Sequence, residues 1–209
     1  KSGPDNLWSH KRVEPHWNWD SGKMISVNAF TNCGEVELFL NDRSLGNRKR
    51  TDFINHVISW DVPFEKGTLK AIARNNGVQV ASFEIRSSGA PAEINAFCSE
   101  KSLKADNIDI THVFAEIIDS EGNTVYSATN EISCEIEGPA RLLGMEDSNP
   151  SNTENYKDNK QHAFHGRLLI YLQAMDKTGP VKIRLSSPGL KEYTMVIPVV
   201  GGDERTNRF

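Results

Sequence analysis

Apolar residues in this chain recur at every second position, in short runs, and almost nowhere at the 3.6-residue period of a helix. Val36, Leu38 and Leu40 alternate with Glu35, Glu37 and Phe39. Ile58, Trp60 and Val62 repeat the pattern, and so do Val113, Ala115 and Ile117, then Ile132, Cys134 and Ile136. Side chains of a strand point alternately to opposite faces, so each run has one apolar face to bury. Gly, Asn, Asp and Pro separate the runs. Many short strands punctuated in this way predict an all-β sandwich or barrel.

The runs fall into two sets. Within residues 20–88, strands are expected at Met24 to Phe30, around Val36 to Leu40, at Ile58 to Val62, at Leu69 to Arg74 and at Val78 to Ile85. Pro63 stops the third of these. Asn41-Asp42 and Asn75-Asn76-Gly77 supply turn residues that tolerate positive φ. Ser87-Ser88-Gly89-Ala90-Pro91 marks a boundary of small residues and proline. Residues 89–200 carry the second set, ending with Tyr193, Met195 and Ile197. There the continuous run Leu168 to Leu172 predicts a strand covered on both faces. The polar stretch Asp147 to Gln161 predicts a long loop. Residues 1–19 read as a connector and 201–209 as a disordered tail. The expected fold is two consecutive immunoglobulin-like β-sandwich domains, the second immunoglobulin- or invasin-like.

Net charge is −4 and the pI is about 5.9. That lacks the basic field of a nucleic-acid binder. Arg48, Lys49 and Arg50 lie between Asp42 and Asp52 and read as a solvated hairpin tip. The three cysteines, Cys33, Cys98 and Cys134, are far apart, so no clustered zinc site is expected. Three buried free thiols is the simpler reading, with a Cys98–Cys134 disulfide as the alternative. No apolar run is long enough for a membrane-spanning helix. The chain starts at Lys1 and shows no signal peptide. It reads as a piece of a longer protein, so missing targeting signals carry no weight.

A search for chemistry finds no catalytic constellation and no cofactor motif. There is no GxSxG elbow for a nucleophilic serine. Most acids sit on alternating strand faces or in turns, where solvation explains them. His162 and His165, three apart, point to opposite faces of a strand and do not make a shared metal site. Asp106 with Asp109, and Glu146, Asp147 and Asp158, lack EF-hand spacing. The unusual feature is aromatic: Trp8, His16, Trp17 and Trp19 lie near the start, with Asn18 between two indoles. Indoles beside amides suit sugar stacking. They also suit a docking segment whose anchors are buried, which is the preferred reading. Tyr126, Tyr156 and Phe164 are further candidates for sugar stacking from loops.

Pro15-His16-Trp17-Asn18-Trp19 continues through Gly22-Lys23-Met24-Ile25-Ser26-Val27 and Thr31-Asn32-Cys33-Gly34-Glu35-Val36-Glu37-Leu38-Phe39-Leu40-Asn41. It goes on through Ser44-Leu45-Gly46, Trp60-Asp61-Val62-Pro63-Phe64 and Gly67-Thr68-Leu69-Lys70-Ala71. This resembles the region after the catalytic barrel in bacterial family 2 glycoside hydrolases of the β-galactosidase type. The second set is similar to the next domain of those enzymes, through Glu137-Gly138-Pro139-Ala140 and Ala163-Phe164-His165-Gly166-Arg167 among other matches. The family often has Gly where this chain has Asp42, and a different loop where it has Glu146-Asp147-Ser148-Asn149-Pro150. The resemblance implies that the family's catalytic glutamates lie in a barrel upstream of Lys1, so none is carried over. It implies a non-catalytic accessory role that supports the barrel of the same parent chain or a homo-oligomer interface. The alternative is a glycan-binding module, and no nucleic-acid or membrane partner is expected. It implies a parent that hydrolyses terminal β-linked sugars in the periplasm or outside the cell.

Overall fold

The structure, a computed structural model, describes residues 14–53, 55 and 57–201. Trp8 and the tail 202–209 lie outside the described residues. The chain divides into two compact units, Lys1–Ser87 and Ser88–Phe209.

The first unit holds β1 (Met24–Ala29), β2 (Glu35–Leu40), β3 (Arg43–Lys49), a short 3-10 turn (Arg50–Asp52), β4 (Ile58–Pro63), β5 (Thr68–Asn75) and β6 (Val78–Arg86). Among the described residues β1 pairs only with β4, and the second sheet runs β3-β2-β5-β6. The alternating residues do what their period requires. Val36, Leu38 and Leu40 of β2 face Ile58, Trp60 and Val62 of β4 across one core, with Trp17, Phe64 and Leu69. Two tight hairpins set the register. Asn41 and Asp42 join β2 to β3 at φ of 50° and 63°, and Asn76 and Gly77 join β5 to β6 at 50° and 78°.

The reading of Arg48-Lys49-Arg50 as a hairpin tip is corrected. The tip is Asn41-Asp42. Arg48 and Lys49 end strand β3, opposite Val36 and Glu35, and Arg50 opens the 3-10 turn. Arg48 also lies 5.4 Å over the Trp60 ring and donates to the Ser59 carbonyl. β3 escapes sequence reading because it is an exposed edge with Leu45 as its single partly buried apolar residue. Charge on an edge strand discourages pairing with other chains.

The second unit holds β7 (Glu93–Cys98), β8 (Leu103–Lys104), β9 (Ile110–Ile118), β10 (Glu131–Glu137), β11 (Ala140–Glu146), β12 (Lys160–His162), β13 (Arg167–Ala174), β14 (Gly179–Ser186) and β15 (Tyr193–Val200). One sheet runs β12-β10-β14-β15-β8 and the other β11-β13-β9-β7. Their inner faces share a core that includes Ile94, Val113, Ile117, Ile132, Ile170, Leu172 and Ile183. The expectation for Leu168 to Leu172 is corrected. Leu168, Ile170 and Leu172 are buried, but Leu169 and Tyr171 on the other face are only partly so. The outer face of this sheet carries its own aromatic residues, so the run is apolar without being covered on both sides. All three thiols are free; Cys33 and Cys134 are buried and Cys98 partly so. Cys98 and Cys134 belong to different sheets. Burial pushes the Cys134 thiol up to about 12.

Asp119 closes the β9 end of the second unit. One carboxylate oxygen accepts from the backbone N–H groups of Glu121 and Asn123, and the other from Gly89 N–H at 2.7 Å. Burial pushes this carboxyl up, but those bonds and the Asn123 side-chain amide outweigh it and hold it below the ordinary value.

Candidate functional site

Residues 14–19 run as irregular chain along the first unit, and Trp17 is the point of attachment. It is 1% exposed, its ring meets the edge of Phe64 at 5.4 Å, and Nε1–H donates to the Glu65 carbonyl at 3.0 Å. The Trp17 carbonyl accepts from Ser87 Oγ at 2.6 Å, and the same hydroxyl accepts from Gly67 N–H. Trp17 therefore ties the lead-in segment to the loop before β5 and to the end of β6.

His16 and Trp19 flank this anchor and are partly exposed. Their ring centroids lie 4.5 Å apart, and His16 Nδ1 accepts from Asn18 N–H at 3.1 Å. Lys23 Nζ sits 5.1 Å from the Trp19 ring. The Trp19 Nε1 atom is buried and has no acceptor among the described residues. His16, Trp17 and Trp19 line a groove of about 1110 Å³ that opens between the two sheets of this unit. The structure thus brings three of the five N-terminal candidates to one groove. Asn18 lies between the two indoles with its N–H on His16, and Trp8 is outside the described residues.

The second-unit candidates separate. Tyr126 and Phe164 gather around His165, at 6.0 and 4.0 Å, and Arg167 lies 5.1 Å over the Tyr126 ring. The cluster exists because His165 and Gly166 form a tight turn, at φ of 52° and 70°, with Phe164 and Arg167 exchanging both backbone bonds. Arg167 is held in turn by Glu116 at 2.9 Å. Tyr156 stands elsewhere, 58% exposed, on the loop after β11. That loop is held by its own side-chain oxygens: Asp147, Asn149, Asn152 and Asn155 each accept a backbone N–H two residues on. His162 Nδ1 meets Glu154 Oε1 at 2.5 Å. Asp106 and Asp109 likewise accept backbone N–H groups of their own turn. Among the described residues no group of three or more His, Cys, Asp and Glu side chains is arranged to hold a metal ion.

One feature was not singled out in the sequence. Phe97 and Phe114 lie opposite each other on β7 and β9, 53% and 39% exposed, with rings 4.9 Å apart and nearly parallel. His112 extends the row to Tyr171 at 5.1 Å. The signal was available: Phe97 and Phe114 occupy the outward positions of runs whose alternate residues are buried.

These are β-sandwich units with aromatic surfaces and without a reactive constellation among the described residues. Residues 94–196 match the family described as glycoside hydrolase family 2 C-terminal domain 5, and residues 22–81 match a domain of unknown function, DUF4982. The chain belongs with the C-terminal domains of glycoside hydrolase family 2. It is 38% identical over 91% of its length to β-galactosidase BoGH2A of Bacteroides ovatus, covering 23% of that protein. A β-glucuronidase of Formosa agariphila is 24% identical over 87% of the chain, which covers 19% of it. A β-glycosidase structure from Bacteroides vulgatus superposes with a TM-score of 0.85, at 30% identity, covering 92% of this chain and 25% of that one. The chain therefore spans about a fifth to a quarter of the length of these relatives.

Proposed function

We propose that this chain is the non-catalytic accessory region of a larger glycoside hydrolase, whose β-sandwich units, immunoglobulin-like in character, brace the catalytic barrel or an oligomer interface. The observation that carries the reading is Trp17. An indole buried to 1% with its N–H, ring and carbonyl all engaged by Glu65, Phe64 and Ser87 is an anchor for a segment leading into the unit. The named relatives include a β-galactosidase and a β-glucuronidase. The 38% identity to the former supports a parent acting on terminal β-galactosides. Hydrolysis of a chromogenic β-galactoside tests this. The intact parent is expected to turn it over and the 209-residue chain alone to be inert. Turnover by the chain that survives repurification overturns the non-catalytic reading. Deleting residues 14–201 from the parent without loss of thermal stability overturns the bracing role.

The Phe97–Phe114 row supports a second reading, in which the outer face of sheet β11-β13-β9-β7 holds glycan by ring stacking. Such a surface gives a Kd of about 0.1–1 mM. Titration with a galacto-oligosaccharide should then saturate, and Phe97→Ala should abolish the response. A flat titration up to about 50 mM sugar sinks this reading.

A further inference from the structure

The first unit is a sandwich with unequal sheets. Two strands face four. Strands lie about 4.8 Å apart, so a two-stranded layer spans about 5 Å between strand axes and a four-stranded layer about 14 Å. The two sides of the short layer are treated differently. Ser59 stands opposite Asn28 and directs its carbonyl away from β1, where Arg48 at the end of β3 takes it. The β4 edge is therefore met at this carbonyl by a side chain of the four-stranded sheet.

Nothing among the described residues caps β1. Pro63, which has no N–H, stands opposite Met24, and Phe64 N–H donates to the Lys23 carbonyl at 2.8 Å. The register then makes Ile25, Val27 and Ala29 the residues bonded to β4. The N–H and C=O groups of Met24, Ser26 and Asn28 point to the other edge. Across the groove, Phe83 and Ile85 of β6 lie opposite Ala71 and Leu69 of β5 and so belong to the inner, core-facing side of their sheet. Yet Phe83 is 70% exposed. The groove of about 1110 Å³ lies between these two edges, lined by Ile25, Val27, Ala71, Phe83 and Ile85. Trp19 Nε1, buried and lacking an acceptor among the described residues, is in the same lining.

We infer that this groove is a strand-acceptor site, and that its occupant is an extended polypeptide segment contributed by the parent chain from outside residues 14–201. A third strand beside β1 would meet the evenly spaced backbone groups of Met24, Ser26 and Asn28. Its alternate apolar side chains would cover Phe83 and Ile85. β1 offers six residues, about 20 Å of edge. A glycan has no such repeat of donors and acceptors. The choice of source rests on the reading above that the chain is part of a longer enzyme, since its relatives are four to five times its length. An edge with apolar surface behind it would otherwise pair with unrelated chains.

Hydrogen exchange on the intact parent, resolved to single amides, tests the site. The outward amides of Met24, Ser26 and Asn28 should exchange as slowly as the inward amides of Ile25, Val27 and Ala29. Phe83→Asp should speed the outward set by more than about 10-fold, and Gln79→Asp, on the opposite face of β6, should leave both sets unchanged. Outward amides about 100-fold faster than the inward ones overturn the proposal. Protection that falls on dilution points to a second copy, and protection that appears only on adding galacto-oligosaccharide points to a glycan; either result overturns it too. Absence of glycosidase activity in the parent sinks the functional reading alone, because the exchange measurement needs no substrate.

Discussion

Trp17 and Asp119 secure their units by different physics, and each can be measured. Trp17 is the bulkiest fully buried side chain of the first unit. Trp17→Ala removes that volume and leaves the Glu65 carbonyl without its donor. It should destabilise the first unit by about 3–5 kcal/mol in denaturant titration. A loss well under about 1 kcal/mol would show that the segment is not anchored there. Asp119 acts through charge. Its folded-state pKa lies below the ordinary value, so its contribution is fully present above an ordinary carboxylate pKa of about 3.9 and is lost as pH falls through the lower folded value. Stability of the second unit should therefore decline below about pH 4, and Asp119→Asn should remove that part of the pH dependence. Equal acid sensitivity in the two proteins would count against this role.

Among the strands, legibility followed apolar and β-branched sequence bounded by turn residues, which showed even β1 and the largely exposed β6, and it was strongest where one face is buried. β2, β4, β9 and β10 each bury alternate residues on a shared core, so period two showed them in the sequence. β3 is mostly exposed and charged, and β8 and β12 are two and three residues long. Neither kind carries enough hydrophobic signal to be seen. Turn chemistry was readable at Asn41-Asp42 and Asn76-Gly77 but not at His165-Gly166, whose first residue is not a customary turn former. There the requirement is steric as well as torsional. A Cβ on Gly166 would come within 2.4 Å of the Val125 carbonyl oxygen, at a φ of 70°. Gly166→Ala should cost at least about 2 kcal/mol and disperse the Tyr126–His165 contact, visible as altered aromatic NMR shifts.

At the scale of the whole chain, the two units keep separate cores, with no buried residue in common. Residues 88–201 expressed alone should fold cooperatively with a β-type circular dichroism spectrum. A molten, non-cooperative product would show that the second core does not suffice by itself. The candidate site was legible only as composition. The sequence named Trp17 and Trp19 together, but their fates differ: Trp17 is buried with its N–H bonded to Glu65, whereas Trp19 is partly exposed and its N–H has no acceptor among the described residues.

The alternation of apolar residues determined, by itself, that this chain makes short strands gathered into sandwiches, because side chains two apart share a face whatever their partners are. The motifs placed it beside the family 2 glycoside hydrolases. Only the tertiary structure decided which strands pair and which edge has no partner among the described residues. Burial depends on what lies across the core, and the sequence of β1 and β6 reads the same whether or not a strand sits between them.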